Sequence, residues 1–241
     1  MSNNYLDLVV GHLNNINLKQ KPAIEQAAEI ISQNIEKGGI FHVFGCGHSQ
    51  LLVSELFYRA GGLVPINPII EQPLSPGGGK KSSLFERQPG YAKIILDSYQ
   101  THEDEPILII SNSGINIVPV EMAINAKERK LKIIALTSSQ YNEAPSRHPS
   151  GKKLIDLADV VIDNGIPQGD AVIDIPGYDI KVSPLSGVVG IALLWSLITE
   201  IALKLAEKGI KPPIWVSGNI PGGDEANLNY YQQYKERIKL L

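Results

Sequence analysis

The sequence has a single cysteine, Cys46. That excludes an intrachain disulfide framework and every cysteine-rich zinc site, and it suits a reducing compartment. Basic charge is not in excess: 22 Lys and Arg face 25 Asp and Glu, for a formal net charge of −3. Proteins that grip nucleic acid or an anionic membrane carry a basic surplus, so neither partner is expected. The five histidines are scattered without paired spacing, so no metal site is expected, and no cofactor either. The start, Met1 to Tyr5, is polar and no apolar signal segment follows it; the expected location is cytoplasmic. There is no internal repeat and no low-complexity tract beyond Gly77-Gly78-Gly79. One apolar stretch, Leu185 to Leu205, approaches the roughly 20 residues a membrane helix needs. It contains Gly187, Gly190, Ser196, Thr199 and Glu200, and reads as a buried core or interface helix.

What remains is an ordinary globular composition, 43% hydrophobic and 20% charged over 241 residues. It is read as one domain with an N-terminal helical extension (1–37), a core (40–205) and a C-terminal extension (206–241). Leu6, Val9, Val10 and Leu13 lie at helical spacing, and so do Ile24, Ala27, Ala28, Ile31 and Ile35. They predict two helices from about Ser2, the second starting near Pro22 and ending at Gly38-Gly39. From Ile40 the pattern alternates. Short strands are expected at 40–44, 63–66, 106–110, 131–136 and 160–162. Helices are expected at 49–60, 91–99, 118–130 and 185–207, with a polar one from Asp224. The stretch 67–90, rich in Pro, Gly and Ser, reads as a long loop. This alternation predicts an α/β protein with a parallel sheet covered on both faces.

Such sheets bind ligands beyond the carboxyl ends of their strands. Three of those ends share one character: Gly45-Cys46-Gly47-His48-Ser49, Ser111-Asn112-Ser113-Gly114 and Thr137-Ser138-Ser139. Glycine lets backbone N–H groups come close to a ligand. A helix N-terminus adds free N–H donors and partial positive charge, and hydroxyls add donors without bulk. Together they predict an anion site of the phosphate type that needs neither lysine nor metal. Ser before a helix is also an ordinary cap, but three such loops at successive strand ends favour the site. Other phosphate and nucleophile motifs fail. The dinucleotide fingerprint breaks at Gln50, the nucleophile elbow at Leu51, and a P-loop ending at Gly79-Lys80 has Leu74 where its first glycine belongs.

The three loops, in this order, resemble those of a sugar isomerase (SIS) domain, which carries Gly-x-Gly-x-Ser after its first strand and Ser-x-Ser-Gly after a later one. The likeness spans about Ile40 to Leu205. It extends to phosphoheptose isomerases and muramic-acid phosphate etherases, and is strongest to a bacterial subgroup of SIS proteins. The resemblance implies a flavodoxin-like three-layer α/β/α sandwich on a five-stranded parallel sheet, with the N-terminal helical pair and a C-terminal helix added. It implies a phosphorylated sugar as ligand, held by Ser49, Ser111, Ser113, Thr137 and Ser138 with Gly45, Gly47, Asn112 and Ser139 beside them. It also implies a homodimer or homotetramer.

Aldose–ketose isomerisation moves a proton between adjacent carbons and needs a carboxylate or imidazole. Glu55 is the first candidate, about one and a half turns beyond Ser49; its ordinary role would be an i,i+4 pair with Arg59. His48 adjoins the anion turn and is the second candidate. His42, inside a strand, reads as a core histidine. Glu71, Glu86 and Arg87 sit in or beside the long loop, which could close over the sugar, and Lys80-Lys81 could steer an anion; the ordinary reading of all five is solvated loop charge. Phosphoheptose isomerases use a histidine from a late helix, and this chain has none after His148. The leading expectation is a sugar-phosphate isomerase. An amino-sugar phosphate lyase or etherase, or a sensor that binds without turnover, are the alternatives. The C-terminal tyrosines 230, 231 and 234 are expected to face another subunit.

Overall fold

Every residue of two runs, Phe41–Gly45 and Pro106–Ile110, is buried, as the inner strands of a parallel sheet must be when both faces are covered. The structure is a computed structural model and describes residues 4–241; Ser2, where the first helix was expected to begin, lies outside them. The first run is β1 and the second β3. With β2 (Ile66–Ile69), β4 (Lys132–Thr137) and β5 (Val160–Asp163) they form one sheet in the order β2-β1-β3-β4-β5, parallel throughout. Five helices cover the two faces: α1 (Tyr5–Glu36), α2 (His48–Leu56), α4 (Tyr91–Asp97), α5 (Ile117–Glu128) and α6 (Ser186–Glu207). The short α3 (Lys80–Phe85) precedes α4, and α7 (Gly223–Tyr234) follows α6. This is the expected flavodoxin-like sandwich.

The alternation of side chains along each strand divides the core. Phe41 and Val43 of β1, with Leu108 and Ile110 of β3, pack on the face carrying α1, α2 and α6. Phe44, Ile107 and Ile109 pack on the face carrying α4 and α5. The chain therefore leaves β1 toward one face and β3 toward the other. The crevice between their carboxyl ends is the switch point where such sheets take ligands.

Several expectations needed correction, most of them for a non-local reason. The N-terminal helical pair is one helix of 32 residues with Pro22 inside it. Proline removes a hydrogen bond and crowds the preceding turn, but Val9 and Ile16 before it and Ile24, Ala27, Ala28 and Ile31 after it are all buried in the same core, and that packing keeps the axis continuous. Gly38 and Gly39 end it as expected, donating to Ile35 and Asn34 carbonyls at 2.9 Å each. The second strand is 66–69, not 63–66, because the stretch before it pairs with the C-terminal segment: Val64 N–H donates to Pro213 O at 2.8 Å and Trp215 N–H to Gly62 O at 2.9 Å. Helix α2 ends at Leu56 instead of residue 60, where Phe57 turns to an extended conformation. Pro68 is tolerated because β2 is an edge strand. The rest of 67–90 is not a loose loop but two 3-10 turns and α3. A hairpin, β6 (Ala171–Asp174) with β7 (Lys181–Pro184), had no counterpart in the reading.

The C-terminal extension closes the amino ends of the strands. Tyr234 and Ile238 pack on Ile40, Val64 and Trp215, so Tyr234 is buried in its own chain. Tyr230 stacks edge-on against Trp215 at 6.4 Å, and the Tyr231 hydroxyl donates to Leu241 O at 2.8 Å. Beneath this cap lies the core histidine. His42 Nε2 is 3.1 Å from Glu105 Oε2, and Arg237 donates to Glu105 Oε1 at 2.8 Å. Among the described residues only α6 is long and apolar enough to cross a membrane. Its Val189, Leu194, Leu197, Ile198 and Ile201 belong to the central core, so it is the core helix expected.

Candidate functional site

Pairing brings the three hydroxyl loops together. Gly45 stands opposite Ile110, and Ile110 opposite Leu136, so the loops leave three neighbouring strands at one level. The first loop is a tight entry into α2. A Cβ on Gly45 would lie 2.8 Å from the Ser49 backbone, which no larger residue allows. Gly47 N–H donates to Leu74 O at 2.8 Å, pinning the segment after β2 on top of the turn. The N-terminus of α2 has no side-chain cap; its Ser49 and Gln50 N–H groups turn back on the Cys46 and Gly47 carbonyls at 3.1 and 3.0 Å, and the helix dipole still favours an anion there. His48 is exposed at the first position of the helix.

The second and third loops brace each other. Gly114 N–H donates to Ser111 Oγ at 3.2 Å. Ser138 N–H donates to Asn112 O at 3.0 Å, and Thr137 Oγ1 reaches the same carbonyl at 3.4 Å. The Asn112 side chain accepts from Asn164 Nδ2 at 3.0 Å, and His12 Nε2 of α1 lies 2.7 Å from Asn164 O. Ser139 N–H donates to Asp163 Oδ1 at 3.0 Å. The loops are held by β5 and α1 before any ligand arrives.

The predicted hydroxyls fall into two kinds. Ser138 Oγ donates to Ile166 O at 2.6 Å and accepts from Gln140 N–H, so it fastens the loop. Ser111 uses one acceptor position on Gly114. Among the described residues, the hydroxyls of Ser49, Ser113 and Ser139 have no protein partner, and with Ser111, whose Oγ only accepts, these are the donors free for a ligand. Ser113, Gly114, Thr137 and Ser138 line one shallow recess with Tyr141, Asn142, Lys153 and Ile155.

Lys153 was not anticipated. It belongs to Gly151-Lys152-Lys153, which in sequence is a run of solvated charge. The backbone of Leu154 donates to Gly114 O at 2.9 Å, and that single contact folds the segment onto the second loop. The ammonium is oriented by the carbonyls of Asn142 and Ala144 and keeps a third donor. Gln50, in the first turn of α2, is buried with its side-chain carbonyl unpartnered.

Of the two catalytic candidates, His48 stands in the first hydroxyl loop beside Ser49, and Glu55 stands away from it. Glu55 pairs with Arg59 at 3.0 Å, its ordinary i,i+4 role. It stands seven residues into α2, roughly 10 Å along the axis from the first residue. Glu86 was read as a solvated loop charge and is not. It is half-buried and its Oε1 accepts from Asn116 Nδ2 at 2.8 Å. Burial raises its pKa above the ordinary carboxyl value, against the opposing Asn116 hydrogen bond and the charges of Arg87 and Arg147. The Cys46 thiol is pushed well above its usual range, first by burial and then by the Glu86 charge beside it, so it is a neutral thiol and not a nucleophile.

A parallel sheet wound in both directions from β1 and β3, with small hydroxyl-rich loops at the carboxyl ends of β1, β3 and β4, defines a doubly wound α/β domain. A SIS domain family model matches residues 4–138, and the chain belongs to that family and, within it, to the UPF0309 proteins. A UPF0309 protein from Caldanaerobacter subterraneus subsp. tengcongensis is 45% identical over 98% of each chain. One from Geobacillus kaustophilus is 41% identical over 100% of this chain and 97% of its own. The phosphoheptose isomerase from Neisseria gonorrhoeae has a similar fold, with a TM-score of 0.58 at 14% identity over 83% of this chain and 95% of that one. A phosphoheptose isomerase from Francisella tularensis gives 0.51 at 18% identity over the same shares.

Proposed function

We propose that this protein binds a phosphorylated sugar and interconverts its aldose and ketose forms. The observation that carries the reading is the convergence of three hydroxyl loops at neighbouring strand ends, with Lys153 lining a recess shared by the second and third of them. The phosphate is held by the Ser113 hydroxyl and the Lys153 ammonium, with Ser49, Ser139 and the positive end of the α2 dipole on its flanks. Charge-assisted hydrogen bonds of this kind are about twice as strong as neutral ones. They anchor one end of the sugar and leave its carbonyl end to reach over the crevice between β1 and β3. Fixing the substrate in this way supplies much of the advantage of an enzyme over solution.

Self-association belongs to the same reading. Leu6, Val10 and Leu18 of α1 and Val188 and Leu203 of α6 are exposed apolar side chains on the helical face of the sheet, suited to a second copy of the chain.

The test is a thermal-shift series with aldose, ketose, heptose and N-acetyl amino-sugar phosphates, with the unphosphorylated sugars and inorganic phosphate as controls. A ligand at about 100 times its Kd adds about 2.7 kcal/mol. Stabilisation by a sugar phosphate beyond that given by either control, lost in Ser113→Ala, supports the reading. Equal stabilisation by inorganic phosphate alone, or none by any sugar phosphate, sinks it.

A further inference from the structure

The hydroxyl loops offer one group able to move a carbon-bound proton, His48, and it is exposed at the first position of α2, where nothing in the protein withdraws it from water. Glu55, the carboxylate expected to do so, is paired with Arg59. Glu121 is engaged as well, both its oxygens accepting from Gly90 N–H at 3.0 and 2.8 Å. Glu86 differs from both. Its peptide is fixed at each end, its N–H donating to Ser82 O at 2.9 Å and its carbonyl accepting from Val118 N–H of α5 at 3.0 Å. Its side chain is fixed through Oε1 by Asn116, the residue preceding α5, which itself accepts from Arg147. Among the described residues, Oε2 has no protein partner. The carboxyl therefore stands where the loop after β3 enters α5, with Cys46 of the loop after β1 beside it, and so lies between the two loops that border the switch-point crevice.

We propose that Glu86 is the catalytic acid–base of this protein, exchanging a proton with the carbon next to the carbonyl of a bound sugar phosphate. The proposal rests on the sugar-phosphate reading above. In the aldose-to-ketose direction the Glu86 carboxylate takes the proton from C2 of the open-chain aldose. The C2–H electron pair forms the C1–C2 double bond, and the carbonyl oxygen at C1 takes up a proton, giving an enediol. The same carboxyl then returns its proton to C1 as the C2 hydroxyl loses its proton and becomes the new carbonyl. No oxidant, reductant or further reactant is consumed. A proton carrier must be stable in both forms near the working pH. Burial raises the affinity of Glu86 for its proton, while the Asn116 hydrogen bond and the nearby Arg87 and Arg147 sustain the ionised form, so the same side chain serves as base and as acid. Fixing peptide and side chain together also holds the free oxygen in one place, which proton transfer from carbon requires.

The experiment follows incorporation of deuterium from D2O into the sugar phosphate that stabilises the wild-type protein, read by proton NMR. Glu86→Gln keeps an acceptor for Asn116. It is expected to retain the thermal shift with that ligand and to lose exchange by about 100-fold or more, the usual contribution of a positioned acid–base. Glu86→Asp, which keeps the charge and withdraws it by one methylene, is the second variant should Glu86→Gln fail to fold; it is expected to retain the shift and slow exchange by about tenfold or more. Exchange within about threefold of wild type in either folded variant overturns the assignment, as does exchange lost in Glu55→Gln and kept in Glu86→Gln. A ligand that binds the wild type but never exchanges a carbon-bound proton also overturns it, while the binding part of the earlier reading stands. Absence of any sugar-phosphate shift in the wild type overturns both.

Discussion

The Asn116 side-chain amide donates to the Glu86 carboxylate across 2.8 Å, tying the segment that follows β2 to the start of the helix that follows β3. The two residues are 30 apart in sequence and belong to connections on the sheet's rim. Val118 N–H repeats the tie through the backbone. The segment 70–90, which by composition is a mobile loop, is thus fastened over the crevice at Leu74 and again at Glu86.

Lys153→Met should weaken binding of a sugar phosphate by about 10- to 100-fold, the range expected when one charge-assisted contact is removed. The wild-type affinity should fall with added salt and the variant's should fall less. Titration calorimetry at low and high salt measures both. Equal salt dependence in the two proteins would remove Lys153 from the phosphate grip.

Gly114→Ala should cost about 1–3 kcal/mol of stability. The residue has φ +62°, and an added Cβ would lie 2.9 Å from Thr137 Oγ1. Because Gly114 N–H also bonds Ser111 Oγ, ligand affinity should fall with it. Urea unfolding at fixed pH reads the first effect, and a variant as stable as wild type would show the contact to be slack.

The buried His42–Glu105–Arg237 cluster makes stability depend on acid. Burial raises the Glu105 pKa, but the hydrogen bonds from His42, Arg237 and the His102 N–H outweigh it and hold the carboxyl at about 2. The folded value lies below the unfolded one, near 4.5, so the unfolded chain binds more protons in between. The contribution is present above about 4.5 and is lost as the pH falls toward 2, roughly 3 kcal/mol in all. Glu105→Gln should flatten urea stability against pH over that window. An unchanged slope would place the acid sensitivity elsewhere.

Pro22→Ala should raise stability by up to about 3 kcal/mol, because alanine restores an N–H to the middle of α1 and removes the ring from the preceding turn. Calorimetry would show a higher Tm, by about 2–4 °C per kcal/mol for a chain of this size. A lowered Tm would mean that the ring itself is packed favourably.

The parts of the fold that read correctly are those whose cause is local. Pro106–Ile110 is a continuous apolar run and is a strand over those residues. Pro119 stands in the first turn of α5, where its missing N–H costs nothing. The Gly-x-Gly-x-Ser and Ser-x-Ser-Gly loops are small because backbone and helix termini must come close, and that need is written in the residues themselves. Where the reading slipped, the partner was distant. Asn67-Pro68 looks like a turn until β1 pairs with it, and Leu63 looks like a strand start until Ile214 takes its edge.

By itself, then, the sequence determined the class of sheet, the three hydroxyl strand ends and the chemistry they invite, because glycine, serine and apolar periodicity act within a few residues. Tertiary structure alone decided which hydroxyls remain free, that Lys153 joins the recess, and that Glu86 is hydrogen-bonded to a distant asparagine while Glu55 keeps its local ion pair with Arg59. A charged side chain has no local signature of its environment. Its role is set by which elements the fold stacks against it, through desolvation and hydrogen bonds that no neighbouring residue in the chain supplies.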